Sequence, residues 1–189
     1  GITQVSEENT TVYLMDNLEV WKGLYELELA GIEDTQAISE IRKKIQRQIE
    51  KKFWDDANQR WRIIGNSDLY DQTEFYPDGV AQIYPLIYEF PVKEKKKQKI
   101  LYNQFTEKFQ WQKLNKKRND FLWAMTGMAA AQMGDINNLV ELIGNYETEY
   151  CENRKYPLYT GEAGWICMEC EKLYRLYERK IKTGFIPCA

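Results

Sequence analysis

Apolar residues recur at three- and four-residue steps through most of this 189-residue chain, which is the spacing of one face of an α-helix. The first such pattern stops at Gly31, and Asp34 or Thr35 can then cap a second helix. The two apolar stripes are Val12, Met15, Leu18, Trp21, Leu24 and Tyr25, followed by Ile38, Ile41, Ile45 and Ile49. The pattern therefore predicts an all-α fold that opens with two amphipathic helices.

Five more helices follow from the same spacing. Pro77 suits the first position of a third helix that Pro91 ends, and a fourth begins near Glu94. The remaining three begin near Asn119, at Gly134-Asp135, and at Gly161 with Thr160 as N-cap, the last running to about Lys182. The inward residues include Val80, Ile83, Tyr84, Ile87, Ile100, Leu101, Phe105, Phe109, Leu122, Met125, Met128, Ile136, Leu139, Val140 and Ile143. We expect about seven helices and no strand, in a single domain over residues 1–189.

The predicted helices alternate in character. The odd-numbered ones carry Ala, Gly, Met and aromatic residues with few charges, whereas the even-numbered ones have a charged side. Comparable helix starts near Asp78, Trp123 and Trp165 repeat at similar spacing. A repeat of inner and outer helices predicts antiparallel hairpins, arranged as an α-solenoid or a closed α/α toroid.

The chain contains no histidine. This excludes the Ser-His-Asp hydrolases and the HExxH metalloproteases, and it leaves carboxylates as the main candidates for acid–base chemistry. The formal net charge of −3 and the pI near 5.3 argue against a nucleic-acid partner. No apolar run is long enough to predict a membrane span, and no signal peptide follows Gly1, so secretion is left open.

Cysteine and lysine clusters predict structure rather than a cofactor site. Cys167 and Cys170 form a single C-x-x-C inside a helical pattern, which favours small buried side chains over metal or redox use. Lysines at 93, 95, 96, 97 and 99, and the basic run 116–118, are typical of the solvated faces of outer helices. We expect neither a metal nor a cofactor.

Two aromatic-rich segments are the best candidates for a ligand cleft. Residues 55–76 are predicted to be a long loop, and loops of that length in a compact domain are often functional. Trp61, Tyr70 and Tyr76 lie in or next to it, and Tyr159 lies in a second loop before the last helix. These rings either form a binding platform for a sugar or pin the loops to the body of the protein.

Three acidic positions are the candidate catalytic residues. Asp16, with Asn17 beside it, lies past the first turn if the helix begins near Thr11. Asp78 and Gln82 are one helical turn apart and share a face. Glu162 lies three residues before Trp165, and an indole beside a carboxylate suits a sugar subsite. The alternative for each acid is stabilisation of a helix N-terminus.

The chain resembles the six-hairpin glycosidases, the α/α toroid superfamily, through four segments. These are Met15–Leu24 followed by Phe53-Trp54-Asp55, then Phe75–Pro85, and Tyr159–Trp165. A complete toroid has twelve helices, so the resemblance implies the C-terminal part of such a toroid, with an N-terminal segment of the same protein as its missing partner. A shorter, open helical array is the alternative.

The resemblance implies a glycan-processing protein that binds carbohydrate and uses carboxylates in the manner of a glycoside hydrolase. The implied catalytic residues are Asp16, Asp78 and Glu162, with substrate bound by Asn17, Trp61, Tyr70, Tyr76, Gln82, Tyr159 and Trp165. The second hypothesis is a non-catalytic module, either carbohydrate-binding or a helical-repeat scaffold for proteins. Convergence of the acidic residues in one cleft distinguishes the two.

Overall fold

A computed structural model describes residues 1–31, 34–65, 67–71, 73–113, 123–154 and 158–182. The chain forms two compact units, residues 1–105 and 106–189. Most of the described chain is helical, which confirms the all-α prediction, while the single domain and the toroid stay predictions. The predicted helix start at Asn119, the inward Leu122, the basic run 116–118, and Cys188 lie outside the described residues.

The first unit opens with two antiparallel helices that pack on each other, α1 (Leu14–Ala30) and α2 (Thr35–Phe53). Gly31 adopts φ 63° and donates its N–H to the Leu27 carbonyl, a left-handed C-terminal cap that favours glycine. The Asp34 carboxylate accepts from two N–H groups of the first turn of α2. The predicted helix boundary is therefore confirmed, with Asp34 rather than Thr35 as the N-cap.

A short β-hairpin follows α2, so the prediction of no strand is wrong here. Strand β1 (Trp54–Asp55) pairs antiparallel with β2 (Arg60–Trp61). The buried Asp55 carboxylate accepts from the Asn58 backbone and side-chain amides at 3.2 and 2.9 Å, which fixes the turn. These bonds, chiefly the one from the Asn58 side chain, lower the pKa of Asp55. Part of the predicted loop 55–76 is thus ordered by its own polar residues.

The predicted third helix is broken into two pieces. A π-helical turn (Phe75–Gly79) is followed by one turn of α3 (Tyr84–Ile87), and Tyr76 is extended at φ −128° and ψ 135° before a cis peptide bond to Pro77. Pro85 has no N–H to continue a helix through this point, so a regular helix up to Pro91 is wrong. The inward residues Val80, Ile83, Tyr84 and Ile87 are nevertheless all buried, as predicted.

Helix α4 (Lys95–Phe109) runs across the boundary at residue 105. Three predicted inward residues are exposed instead: Ile41, Ile100 and Val140. Each lies one or two positions off the stripe that is buried. In α2, Arg42 points inward in place of Ile41, pairing with Glu28 at 2.7 Å and lying over the Trp21 ring.

The second unit contains α5 (Thr126–Met133), α6 (Ile136–Tyr146) and α7 (Thr160–Lys182), which pack on one another. A 3-10 turn (Trp111–Lys113) and a π-helical turn (Glu147–Glu152) complete its described elements. Gly134 ends α5 at φ 68° and Asp135 caps α6 by accepting from Asn138 N–H, which confirms the predicted stop and restart. Thr160 is the first residue of α7 rather than the residue before it.

The burial of Cys167 and Cys170 in the second unit is not as predicted. Cys151, Cys167 and Cys170 are free thiols and all three are exposed, so the prediction of Cys167 and Cys170 as small buried side chains is wrong. Cys167 and Cys170 do lie within a helix, as predicted, but α7 buries a different face, which carries Glu162 and Glu169. None of the described helices has the length and apolar character needed to cross a membrane.

Candidate functional site

A pocket of about 380 Å³ in the first unit surrounds one of the predicted catalytic acids, Asp78. The segment after β2 forms one wall, because a bridge between Tyr13 and Ile64 holds it against the start of α1. The π-helical turn forms another wall and carries Asp78. The lining residues are Tyr13, Ile63, Ile64, Ser67, Leu69, Tyr70, Asp71, Pro77 and Asp78.

Asp78 is buried, with 7% of its surface exposed, yet its carboxylate is only partly engaged. Its Oδ1 accepts from the backbone N–H of Asp71 at 3.0 Å. Among the described residues, Oδ2 has no hydrogen-bond partner. A carboxylate oxygen held in a pocket without a donor can accept a hydrogen bond from a ligand.

Tyr70 provides an aromatic wall for the same pocket. Its ring is stacked by the Arg60 guanidinium, whose central carbon lies 4.2 Å from the ring centre. Partial burial raises the pKa of Tyr70, Arg60 opposes that rise, and the charges of Asp78 and Asp71 add to it. The phenol is therefore neutral at physiological pH and can both donate and accept.

Gln82 does not offer its amide to this pocket. It is buried, its Oε1 accepts from Trp61 N–H at 2.8 Å, and its Nε2 donates to the Trp61 carbonyl at 2.9 Å. The Trp61 indole N–H donates to Gln98, whose amide returns to the Gln82 carbonyl. The two glutamines thus hold strand β2 in place, which favours a structural role for Gln82 and Trp61.

Asn17 is likewise engaged by the fold. Its Oδ1 accepts from the backbone and hydroxyl of Thr3, each at 2.8 Å, and its Nδ2 donates to the Thr3 and Tyr13 carbonyls. These four bonds use the full capacity of the amide and anchor the N-terminal segment on α1. Its predicted role in substrate binding would require that anchor to open.

Asp16 lies in the first turn of α1, because the helix begins at Leu14 rather than near Thr11. The expectation that it falls past the first turn is therefore wrong. The side chain is exposed and is placed to stabilise the positive end of the helix. Tyr76, 43% exposed, also lies in the first unit but does not line the Asp78 pocket.

Glu162, the third predicted acid, belongs to the second unit together with Tyr159 and Trp165. Its Oε2 accepts from Ala124 N–H at 2.7 Å and from the Tyr146 hydroxyl at 2.9 Å. Burial raises the pKa of Glu162, although these two donors oppose the rise. Tyr159 is exposed and Trp165 half-buried.

A second buried acid of this unit, Glu169, was not predicted from the sequence. It lies two turns after Glu162 on α7 and has no exposed surface. Its carboxyl group rests on Gly127, near the backbone N–H groups of Gly127 and Met128, but neither oxygen makes a hydrogen bond of normal geometry. Burial, and then the charge of Glu162, raise the pKa of Glu169 to about 9.

The structure therefore brings together Asp78, Tyr70 and Asp71 in the first unit, and Glu162 with Glu169 in the second. Asp71 is a pocket residue that the sequence analysis placed only in a loop. Among the described residues, no group of three or more cysteines and acids is arranged to hold a metal ion. Comparisons with known protein families, curated proteins and solved structures gave no match to this chain.

Proposed function

We propose that the chain binds carbohydrate in the Asp78 pocket and processes it in the manner of a glycoside hydrolase. The observation that carries the proposal is the buried Asp78 carboxylate, with Oδ2 unengaged by any described residue, in a pocket walled by Tyr13 and Tyr70. Its size of about 380 Å³ falls within the range of about 300–1,000 Å³ typical of small-ligand sites.

The chemistry of the lining suits a sugar. Asp78 can accept a hydroxyl hydrogen bond, and bonds to an ionised acceptor are the stronger ones. The rings of Tyr13 and Tyr70, with Ile63 and Leu69, offer apolar surface to the C–H groups of a sugar ring. The pocket thus pairs one directional polar group with extended apolar contact.

A second acidic residue, Asp71, lines the same pocket and supports hydrolysis as the reaction. The backbone N–H of Asp71 binds the Asp78 carboxylate. Its own carboxylate is exposed and accepts from the backbone N–H and the hydroxyl of Thr73 through Oδ1. In a glycoside hydrolase one carboxylic acid protonates the leaving oxygen, while the other carboxylate activates water or attacks the sugar. We assign these two roles to this pair. Packed helical hairpins in each unit support the finer proposal of a partial α/α toroid.

The test uses a panel of neutral oligosaccharides. Saturation-transfer NMR measures their binding, and release of reducing sugar measures their turnover. Asp78→Asn should weaken binding about tenfold or more, since a charge-assisted bond contributes about 1.5–3 kcal/mol, and should abolish turnover. Asp16→Asn, which changes an exposed acid outside the pocket, is the matched control. Full activity of Asp78→Asn, or loss with Asp16→Asn alone, would remove the pocket from the mechanism.

The same panel separates the non-catalytic alternative, because binding that depends on Asp78 without any turnover indicates a carbohydrate-binding module.

A protein-interaction role is favoured by one further observation on α7. Cys167, Cys170, Tyr174, Tyr177 and Ile181 are exposed at alternating three- and four-residue steps, the repeat of a coiled-coil seam. The same stripe on a second copy of the chain could pack against it to form a dimer. An antiparallel arrangement of the two α7 helices would keep their basic last turns apart. Light scattering tests this candidate: a monomer, or a dimer unaffected by Tyr174→Glu, argues against it.

A further inference from the structure

A second pocket in the first unit, of about 250 Å³, lies where α2 ends and α4 begins. Its walls combine two tryptophans with five charged side chains, which come from α2, the turn after β1, the segment before α4 and α4 itself. The lining residues are Glu50, Trp54, Asp56, Trp61, Val92, Lys93, Glu94, Lys97 and Gln98. Trp61 is one of the aromatic residues predicted to bind a sugar, but the Asp78 pocket shares no lining residue with this one, so the pocket can be considered by itself.

The charges of this pocket are unbalanced. Three carboxylates face two lysines, which leaves one excess negative charge. Lys97 lies between two of the acids, 3.0 Å from Glu94 and 3.6 Å from Asp56. Lys97 therefore places one ammonium group at the lining of the pocket, between two acids whose side chains are 60% and 82% exposed.

The third carboxylate, Glu50, has a partner that is easily displaced. Its side chain is only 15% exposed, whereas that of Lys93, which pairs with it at 2.6 Å, is 78% exposed. An exposed lysine gains little from such a pair, because water competes and the flexible side chain loses entropy. Glu50 is therefore a half-buried acceptor covered by a weakly held cation.

The aromatic wall favours a cation over a neutral ligand. Trp54 and Trp61 meet edge to face with ring centres 5.1 Å apart, and the Trp54 indole N–H donates to Asp56. Lys97 Nζ lies 5.6 Å from the Trp54 ring centre, within range of a cation–π contact. Glu50, near the end of α2, and Trp54, the first residue of β1, line the same pocket, so a cation on Glu50 lies in the pocket that the indole walls.

We propose that this pocket binds a primary alkylammonium monocation, such as the end of a lysine side chain, which replaces Lys93 on Glu50. The ammonium N–H groups donate to the Glu50 carboxylate, and the alkyl chain packs along the tryptophan wall. One bound positive charge neutralises the excess negative charge of the lining.

The experiment titrates the full chain with Nα-acetyl-lysine-N-methylamide and follows the Trp54 indole N–H by NMR. The Trp54→Phe variant assigns this resonance. The Nε-acetylated form of the probe, which has the same backbone and chain but no charge, is the ligand control. We expect saturable shifts with the charged probe and none with the acetylated one.

Two variants test the exchange itself. Glu50→Gln should weaken binding about fivefold, the effect of losing a contact of about 1 kcal/mol. Lys93→Ala should strengthen it about twofold, because the internal competitor is gone. Lys95→Ala removes the same charge from an exposed position outside the pocket and is the matched control for long-range electrostatics.

The proposal is overturned if the acetylated probe binds equally well, if Glu50→Gln has no effect, or if Lys93→Ala and Lys95→Ala change the affinity alike. A neutral sugar that shifts the Trp54 resonance where the cation does not would also overturn it, in favour of a sugar subsite. A negative result for the ammonium probe would not count against the carbohydrate proposal, because the two proposals concern different pockets. Asp78→Asn should accordingly leave the response of the Trp54 indole N–H unchanged.

Discussion

Replacing Glu169 by glutamine should stabilise the second unit at neutral and alkaline pH. The carboxyl group has no exposed surface and no hydrogen bond of normal geometry, and the charge of Glu162 further disfavours its ionised form. Burial in such surroundings penalises the ionised form, so the folded protein holds the proton that the unfolded chain releases. Glutamine has nearly the same shape and no charge to bury.

The size of the effect follows from the pKa of Glu169, which rises from an ordinary value of 4.5 to about 9 on folding. A group whose pKa is raised by folding contributes its full stability below the unfolded pKa and loses it as the pH rises toward the folded pKa. Between pH 5 and pH 8 the loss approaches three pH units at about 1.4 kcal/mol each, or on the order of 4 kcal/mol. Glu162, whose pKa is also raised, acts in the same direction.

The assay is urea unfolding at pH 5, 6.5 and 8, with hydrogen exchange of the α5–α7 amides to locate the change in the second unit. The free energy of unfolding of the parent should fall as the pH rises, and that of Glu169→Gln should fall much less. Glu171→Gln, on the exposed side of the same helix, should follow the parent. If Glu169→Gln and the parent lose stability in parallel, Glu169 does not carry the buried proton and the reasoning fails.

Three further substitutions test the packing on which these assignments depend. Gly127→Ala should lower the free energy of unfolding by about 1–3 kcal/mol, because the added Cβ would overlap the Glu169 carboxyl group. Gly144→Ala on α6, which has open space around it, should raise the free energy of unfolding by about 0.5–1 kcal/mol. Thermal melts in which Gly127→Ala is the more stable of the two would contradict this packing. Gln82→Leu should cost about 2–4 kcal/mol, because it leaves both backbone groups of Trp61 unpaired, and an unchanged urea midpoint would show that water replaces the amide.

Helix ends were the part of the fold that the sequence predicted best. Gly31 and Gly134 end helices at positive φ, and Asp34 and Asp135 begin the next ones, because each signal acts within a few residues of itself. Burial was predicted less well. Ile41 is apolar and lies one residue from the buried stripe of α2, yet it is Arg42 that points inward. Its guanidinium pairs with the Glu28 carboxylate and lies over the Trp21 ring.

The candidate site was predictable only in part, for a physical reason that Asp78 and Gln82 illustrate. Their spacing of one turn does bring the two residues into contact, but Gln82 Nε2 donates to the backbone carbonyl of Asp78 and not to its carboxylate. The spacing cannot show that the amide is then consumed by the backbone of Trp61, which is 21 residues away. Asp71 was missed for the same reason, since only the folded loop brings its N–H to the Asp78 carboxylate.

The contrast between Asp78 and Glu169 shows why a buried acid alone does not identify a site. Both carboxylates are buried and incompletely hydrogen-bonded, but Asp78 borders a pocket of about 380 Å³, whereas Glu169 rests directly on the backbone at Gly127. A ligand can therefore supply the missing partner of Asp78, while Glu169 can relieve its burial only by keeping its proton. The same shortage of partners thus favours ligand binding at one acid and pH-dependent stability at the other.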